Sequence, residues 1–466
     1  MGEPVTEPEV RGWFELAGLY VFLEYDEATR AADYASYLST ATHEMDHFAL
    51  MTGTTFGLFT YVVHVLTTYL VMVCTQRLVN LGFGTEQSPI RVPLRRWRTL
   101  SKGRVRAVLD ESLLEFAIAD IMCQRLSLGR GMQSSPKLAE EYGFIKGLIS
   151  EWLAHMYPPD AVLGSPDPLA NLVCTPPRGA SLGALDLLES HARLAQTINT
   201  FGFEQELLKH ENAQTLRDLA ARSRTSFFDE GCNLLGQFVG HYGRAFEVAG
   251  SYLKLQTSDD LAIFAMLCDL ALMSPLGFSL DESQDGHRYA WNDIHPGWRF
   301  VRSLQFLKES AIHRRIGANY VDLTDAICDH FDWSTPWDLA KTALEGRIIE
   351  PWKPLPALFE RAFKLRLELP DIYACSWRCK ADPSVWRDTL LPPIIQLRDS
   401  LKTRGTQEDI AKLSLALCQE NLAKQLVAKE RLQDPLLRAS SDLGVVALNV
   451  LDTAFGITPE MLMPIA

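Results

Sequence analysis

The chain has 466 residues, with 45 Lys and Arg against 58 Asp and Glu, for a formal charge of −13 at pH 7. Hydrophobic residues make up 47% and charged residues 22%, which excludes a disordered chain, a collagen and a coiled-coil rod. The acidic balance argues against a dedicated nucleic-acid binder, because phosphate contact requires clustered positive charge.

In chain order, the first thirteen residues (MGEPVTEPEVRGW) are acidic and polar, without the basic and apolar regions of a secretory signal. The nine cysteines, an odd number scattered along the chain, do not form a disulfide framework and predict reduced core thiols in a cytoplasmic protein. Cys375 and Cys379 fit one helix face, but no second pair with zinc-ribbon spacing follows. Leu19 to Tyr25 (LYVFLEY) is rich in aromatic and branched residues and predicts a strand. Elsewhere apolar residues recur at three- and four-residue steps, and no strand–helix alternation is present, so the fold class is mainly α with minor β.

Tyr37 to Gly53 (YLSTATHEMDHFALMTG) carries His43-Glu44-Met45-Asp46-His47, an H-E-x-x-H motif in a helix-compatible setting, with Gly53 as a C-cap. On a helix the two histidines lie one turn apart on one face, so both imidazoles reach one ion. Zinc accepts neutral imidazole at about 2.0–2.1 Å and tolerates an open fourth position. Glu44 then stands beside the metal, where a carboxylate takes a proton from water.

Phe56 to Cys74 (FGLFTYVVHVLTTYLVMVC) is long enough to span a bilayer. Seven basic residues from Arg91 to Arg106 follow with no acid among them, like a positive-inside flank. His64 and the threonines within the stretch favour a helix buried in protein. Ala107 to Gln124 (AVLDESLLEFAIADIMCQ) reads as an amphipathic helix with Glu115 near the edge of its apolar face and Glu111 one turn earlier. Either acid is a candidate third metal ligand.

Proline-rich Tyr157 to Arg178 reads as a surface loop or hinge. Gly179-Ala180-Ser181-Leu182-Gly183 fits the nucleophile elbow G-x-S-x-G, but prolines occupy the place of the strand that an elbow requires. Ser181 therefore reads as the N-cap of a helix over 181–200. Further helices are expected over 137–156, 229–255, 258–273, 297–310, 354–367 and 406–431. In Gly286 to Phe300 (GHRYAWNDIHPGWRF), Tyr289 and His295 are the candidate donors for an oxyanion. PWKPLP at 351–356 and Pro392-Pro393 mark later breaks. The expected organisation is 1–157 with the metal motif, 158–350 as a helical region completing the catalytic unit, and 351–466 as a helical C-terminal region. No phosphate-binding loop motif is present in the sequence.

These residues resemble the gluzincin class of zinc metallopeptidases, in which H-E-x-x-H supplies two ligands and the general base and a glutamate on a following helix supplies the third. The resemblance implies a zincin-like core followed by a helical extension, with Zn2+ on His43, His47 and Glu115 and with Glu44 as base. Asp120 follows Glu115 by five residues where the class has four. The activity implied is hydrolysis of a peptide or protein substrate in the cytoplasm, away from nucleic acid and membrane. The alternatives are a non-catalytic helical interaction protein with a structural metal site, and a membrane-tethered metalloprotease.

Overall fold

A computed structural model describes residues 12–15, 19–62, 127, 182–209, 214–238, 240–275, 294–317, 319–346, 355–378, 390–392, 394–398 and 401–403. The described chain is mainly helical, with one small sheet.

Strand β1 (Gly12–Glu15) pairs antiparallel with β2 (Tyr20–Leu23). β2 pairs in parallel with β3 (Ile394–Leu397), which pairs antiparallel with β4 (Leu401–Thr403). The register sets Val21 against Phe14 on one side and Ile395 on the other. β2 is an interior strand whose four residues are all buried, and strands covered on both faces are apolar runs. The strand expected over 19–25 is therefore present. β3 and β4 were not expected: IIQL and LKT are too short to show a period, and β3, on which β4 pairs, has its other partner near the opposite end of the chain.

Asp26 opens helix α1 (Glu27–Ala32) with a reciprocal cap. Its Oδ1 accepts from Thr29 N at 2.7 Å while Thr29 Oγ1 accepts from Asp26 N at 3.0 Å. Helix α2 (Tyr34–Gly53) follows and is buried on every side from Phe48 to Gly53. The sheet lies close on one flank, since a Cβ on Gly12 of β1 would stand 3.0 Å from Thr40 Cγ2. Helix α3 (Ala184–Lys209) packs along α2. It starts three residues after Ser181, which is outside the described residues, and Asp186 Oδ2 accepts from Gly183 N at 2.9 Å at its entry.

The helix expected over 229–255 is instead two: α5 (Phe227–Gly236) and α6 (His241–Tyr252), preceded by α4 (Gln214–Arg222). Gly240, at φ 58°, turns the chain between them in a conformation that glycine adopts without steric cost. Helices α7 (Ser258–Leu272) and α8 (Pro296–Ser310) match expectation. The short α9 (His313–Ile316), α10 (Tyr320–Phe331) and α11 (Pro336–Leu344) were not expected, and α12 (Ala357–Glu368) begins after the predicted proline break. Cys268 and Cys328 are buried in helices, while Cys375 is buried in a turn and not on a helix face.

One core gathers Phe22, Phe48, Leu188, Leu272, Ala340, Phe363 and Leu390, so residues from all three expected regions meet in it. Each such large side chain contributes about 1.5–3 kcal/mol on burial. Residues 55–62 are helical, and Phe56, Leu58, Phe59 and Val62 belong to this core. The described part of the 56–74 stretch is thus packed in protein; residues 63–74 are outside the described ones. Among the described residues no helix is long and apolar enough to cross a membrane.

The last carbonyls of a helix need partners, and those of α2 are buried. Gly53 O accepts from Arg366 Nε at 3.0 Å and Nη2 at 2.8 Å. Arg366, fully buried, also forms a bidentate pair with Asp269, 2.7 Å at each oxygen, and Tyr320 donates to the same carboxylate. Gly53 leaves room for this clamp, since a Cβ there would meet the Tyr373 ring at 2.5 Å.

Candidate metal centre

Helices α2 and α3 face each other antiparallel, and their contact is polar where the motif lies. Gln196 Nε2 donates to Ser39 Oγ at 2.8 Å. About two turns nearer the start of α3, Glu189 meets His43 and His47. Its Oε2 stands 3.2 Å from His43 Nε2 and 3.4 Å from His47 Nε2, and the two Nε2 atoms are 3.1 Å apart. Both histidines are buried and Glu189 is nearly so. This is a group of three donors able to hold one metal ion, and the His-x-x-x-His spacing on α2 supplies two of them as expected.

The charges around this group depend strongly on one another. Burial pushes the Glu189 carboxyl up, but His47 and His43 hold it well below the usual carboxylate range. Burial would lower the His47 pKa, yet Glu189, helped by Glu44 and Asp46, pushes it up to about 9. Without an ion, a proton on His47 therefore offsets the Glu189 charge. Glu44 is buried beside them, and burial raises its pKa against the opposing influence of both histidines. The backbone of Phe14 in β1 hydrogen-bonds the Glu44 carboxylate, so the sheet edge borders the motif.

A second buried pair fixes the two helices. His191 lies on α3 with Nδ1 2.7 Å from Asp46 Oδ2 and Nε2 2.9 Å from Ala374 O. Burial works against charging this ring, but Asp46 and the carbonyl raise its pKa, so both ring N–H groups donate. Asp46 precedes His47 and His191 follows Glu189 by two residues. The pair thereby sets the register in which the three metal donors meet.

Tyr242 on α6 closes one side, its ring 5.7 Å from that of His43. Burial and the Glu189 charge raise its pKa, which keeps the phenol protonated at neutral pH. Arg193, one turn along α3 from Glu189, stacks on Tyr242 with Cζ 4.3 Å from the ring centre.

The other predicted site residues fall as follows. Glu115, Glu111 and Tyr289 lie outside the described residues. His295 is fully buried at the start of α8, where its Nδ1 accepts from Trp298 N at 3.4 Å as the N-cap. It is not part of the His43–His47–Glu189 group. Glu189 was missed, although its helix LGALDLLESHARLAQ was expected: an acid in an apolar helix is the same signal that singled out Glu115, and sequence alone cannot rank the two. Comparison of the chain with protein-family models, with curated proteins and with solved structures finds no match.

Proposed function

We propose that the protein is a zinc-dependent metallopeptidase of gluzincin type, with His43, His47 and Glu189 as ligands, Glu44 as general base and Tyr242 as the oxyanion donor. The observation that carries this reading is the donor triangle, with sides of 3.1, 3.2 and 3.4 Å. A tetrahedral ion with bonds of about 2.0–2.1 Å separates neighbouring donors by about 3.3 Å, so the site accepts zinc with little rearrangement. Two imidazoles and one carboxylate also match a zinc site that keeps a position for water.

When bound, zinc supplies Lewis-acid polarisation of the scissile carbonyl and lowers the pKa of a water molecule. Glu44, its basicity raised by burial, takes the proton from the attacking water and delivers it to the leaving amine. Tyr242, protonated at neutral pH, donates to the oxygen that gains negative charge. The buried walls exclude competing water and strengthen each of these interactions.

Metal analysis of the purified chain should give one zinc. Glu44→Gln should keep that zinc and lower peptide hydrolysis by about 10²–10⁴-fold, the usual contribution of a positioned general base. A chain that holds zinc but cleaves no peptide, with Glu44→Gln indistinguishable from parent, would assign the centre a structural role in a helical interaction protein.

A further inference from the structure

Arg193 is a buried cation with no carboxylate at ion-pair distance among the described residues; Glu189 and Glu230 act on its charge only from further away, and the Tyr242 hydroxyl is hydrogen-bonded to it. Arg193 is 6% exposed. Its guanidinium lies against the Tyr242 ring, one amino group reaches Gln237 Oε1 at 3.5 Å, and its Nε is buried without a hydrogen-bond partner. A buried guanidinium without a directly hydrogen-bonded anion is costly, and its free Nε edge suits bidentate pairing with a ligand carboxylate. By contrast, the buried Arg366 has its carboxylate built in, at 2.7 Å.

Its place indicates the ligand. Arg193 follows Glu189 by four residues, so the two side chains leave α3 on one face, about 5–6 Å apart at Cβ. Tyr242 touches both His43 and Arg193 and joins the cation to the metal group. An extended peptide advances about 3.3–3.6 Å per residue. We propose that Arg193, held on Tyr242, anchors a substrate carboxylate within one or two residues of the scissile bond. The substrates are then peptides bearing an acid at that position, either the C-terminal carboxylate or an Asp or Glu side chain. This inference rests on the hydrolase reading for its scissile bond, but the anchor itself is testable without catalysis.

The test measures binding to the zinc-loaded full-length Glu44→Gln chain. The probes are one N-blocked Ala/Phe hexapeptide in three forms: free C-terminal carboxylate, C-terminal amide, and amide with one internal Glu. At least one acidic form should bind about 10–100-fold tighter than the plain amide, as a charged hydrogen-bonded pair provides. Preference for the free acid alone identifies the terminal carboxylate, and preference for the Glu form identifies a side chain. Arg193→Gln should erase the preference while zinc content and zinc affinity stay within about threefold of the parent, short of the about 10–100-fold loss expected if Arg193 served only to support the metal ligands. Should that variant fail to fold, Arg193→Lys keeps the charge and must reduce the preference by losing the bidentate fork. Equal binding of all three probes by the parent overturns the anchor, as does a preference that survives either substitution. If the Arg193-dependent preference is present but the wild-type chain hydrolyses none of the three peptides, the hydrolase reading falls and the anchor stands. Equal hydrolysis of all three with no preference gives the reverse.

Discussion

Replacing Glu189 by Gln removes the only anionic donor of the described metal group while keeping the side chain's size. The three donor atoms already sit at the separations a tetrahedral ion requires, so on the proposed reading the carboxylate is a full ligand and little binding energy is lost to rearrangement. Structural zinc sites bind with about 10–16 kcal/mol, which shared over four donors is about 2.5–4 kcal/mol each. At 1.4 kcal/mol per factor of ten, Glu189→Gln should weaken zinc binding by about 10²–10³-fold. Competition against a chromophoric chelator at fixed pH measures this directly, with Glu115→Gln as the comparison. Should Glu189→Gln bind zinc within threefold of the parent while Glu115→Gln loses it, the assignment of α3 as the helix of the third ligand is wrong, and so is the site built on it.

Zinc binding should also release a proton. In the metal-free chain the His47 pKa is raised from 6.5 to about 9, so its proton contributes stability that is complete below pH 6.5 and lost as pH rises through 9. Apparent zinc affinity should therefore rise about tenfold per pH unit between those values, and calorimetry in buffers of different ionisation heat should report about one proton released; a buffer-independent heat refutes it. Arg366→Met leaves Asp269 charged and buried and Gly53 O without its donors, which should cost about 3–5 kcal/mol. The melting temperature should fall sharply and recover in part when Asp269→Leu is added; a single variant that melts with the parent contradicts the clamp. His295→Ala should cost about 1 kcal/mol as a lost N-cap plus the cavity left by a fully buried ring, and leave kcat within threefold; a hundredfold loss of kcat at unchanged stability would restore the residue to the chemistry.

The parts of the fold that were legible in the sequence are those specified locally. The motif helix shows in the spacing of His43 and His47, and β2 in its unbroken apolar run, because both patterns arise within one element. Two kinds of feature were illegible. An element defined by a distant partner, such as β3, carries no signal of its own when it is four residues long, and β4 depends on β3 for its place in the sheet. The candidate third ligand was hidden for a related reason: Glu189 and Glu115 both stand in sequence stretches of apolar helical period, and only the antiparallel packing of α3 on α2 shows that Glu189 meets the imidazoles. The same packing explains the polar residues of α3. Asp186, His191, Arg193 and Gln196 are buried, which helical periodicity alone assigns to a solvated face.

A buried helix rich in ionisable groups is stable only if each group finds a partner, and α2 draws its partners from widely separated stretches. Arg366 of α12 takes its C-terminal carbonyl, His191 of α3 takes Asp46, and the β1 backbone takes Glu44. Two demands remain: His43 Nδ1 is buried without a hydrogen-bond partner, and the charge of Glu189 stands against two imidazoles, which in the metal-free chain is answered by a proton on His47. A divalent ion answers the second with more charge and with fixed geometry. On the proposed reading the metal centre is also a tie of the core, its ligand geometry set by the folded helices before any substrate arrives.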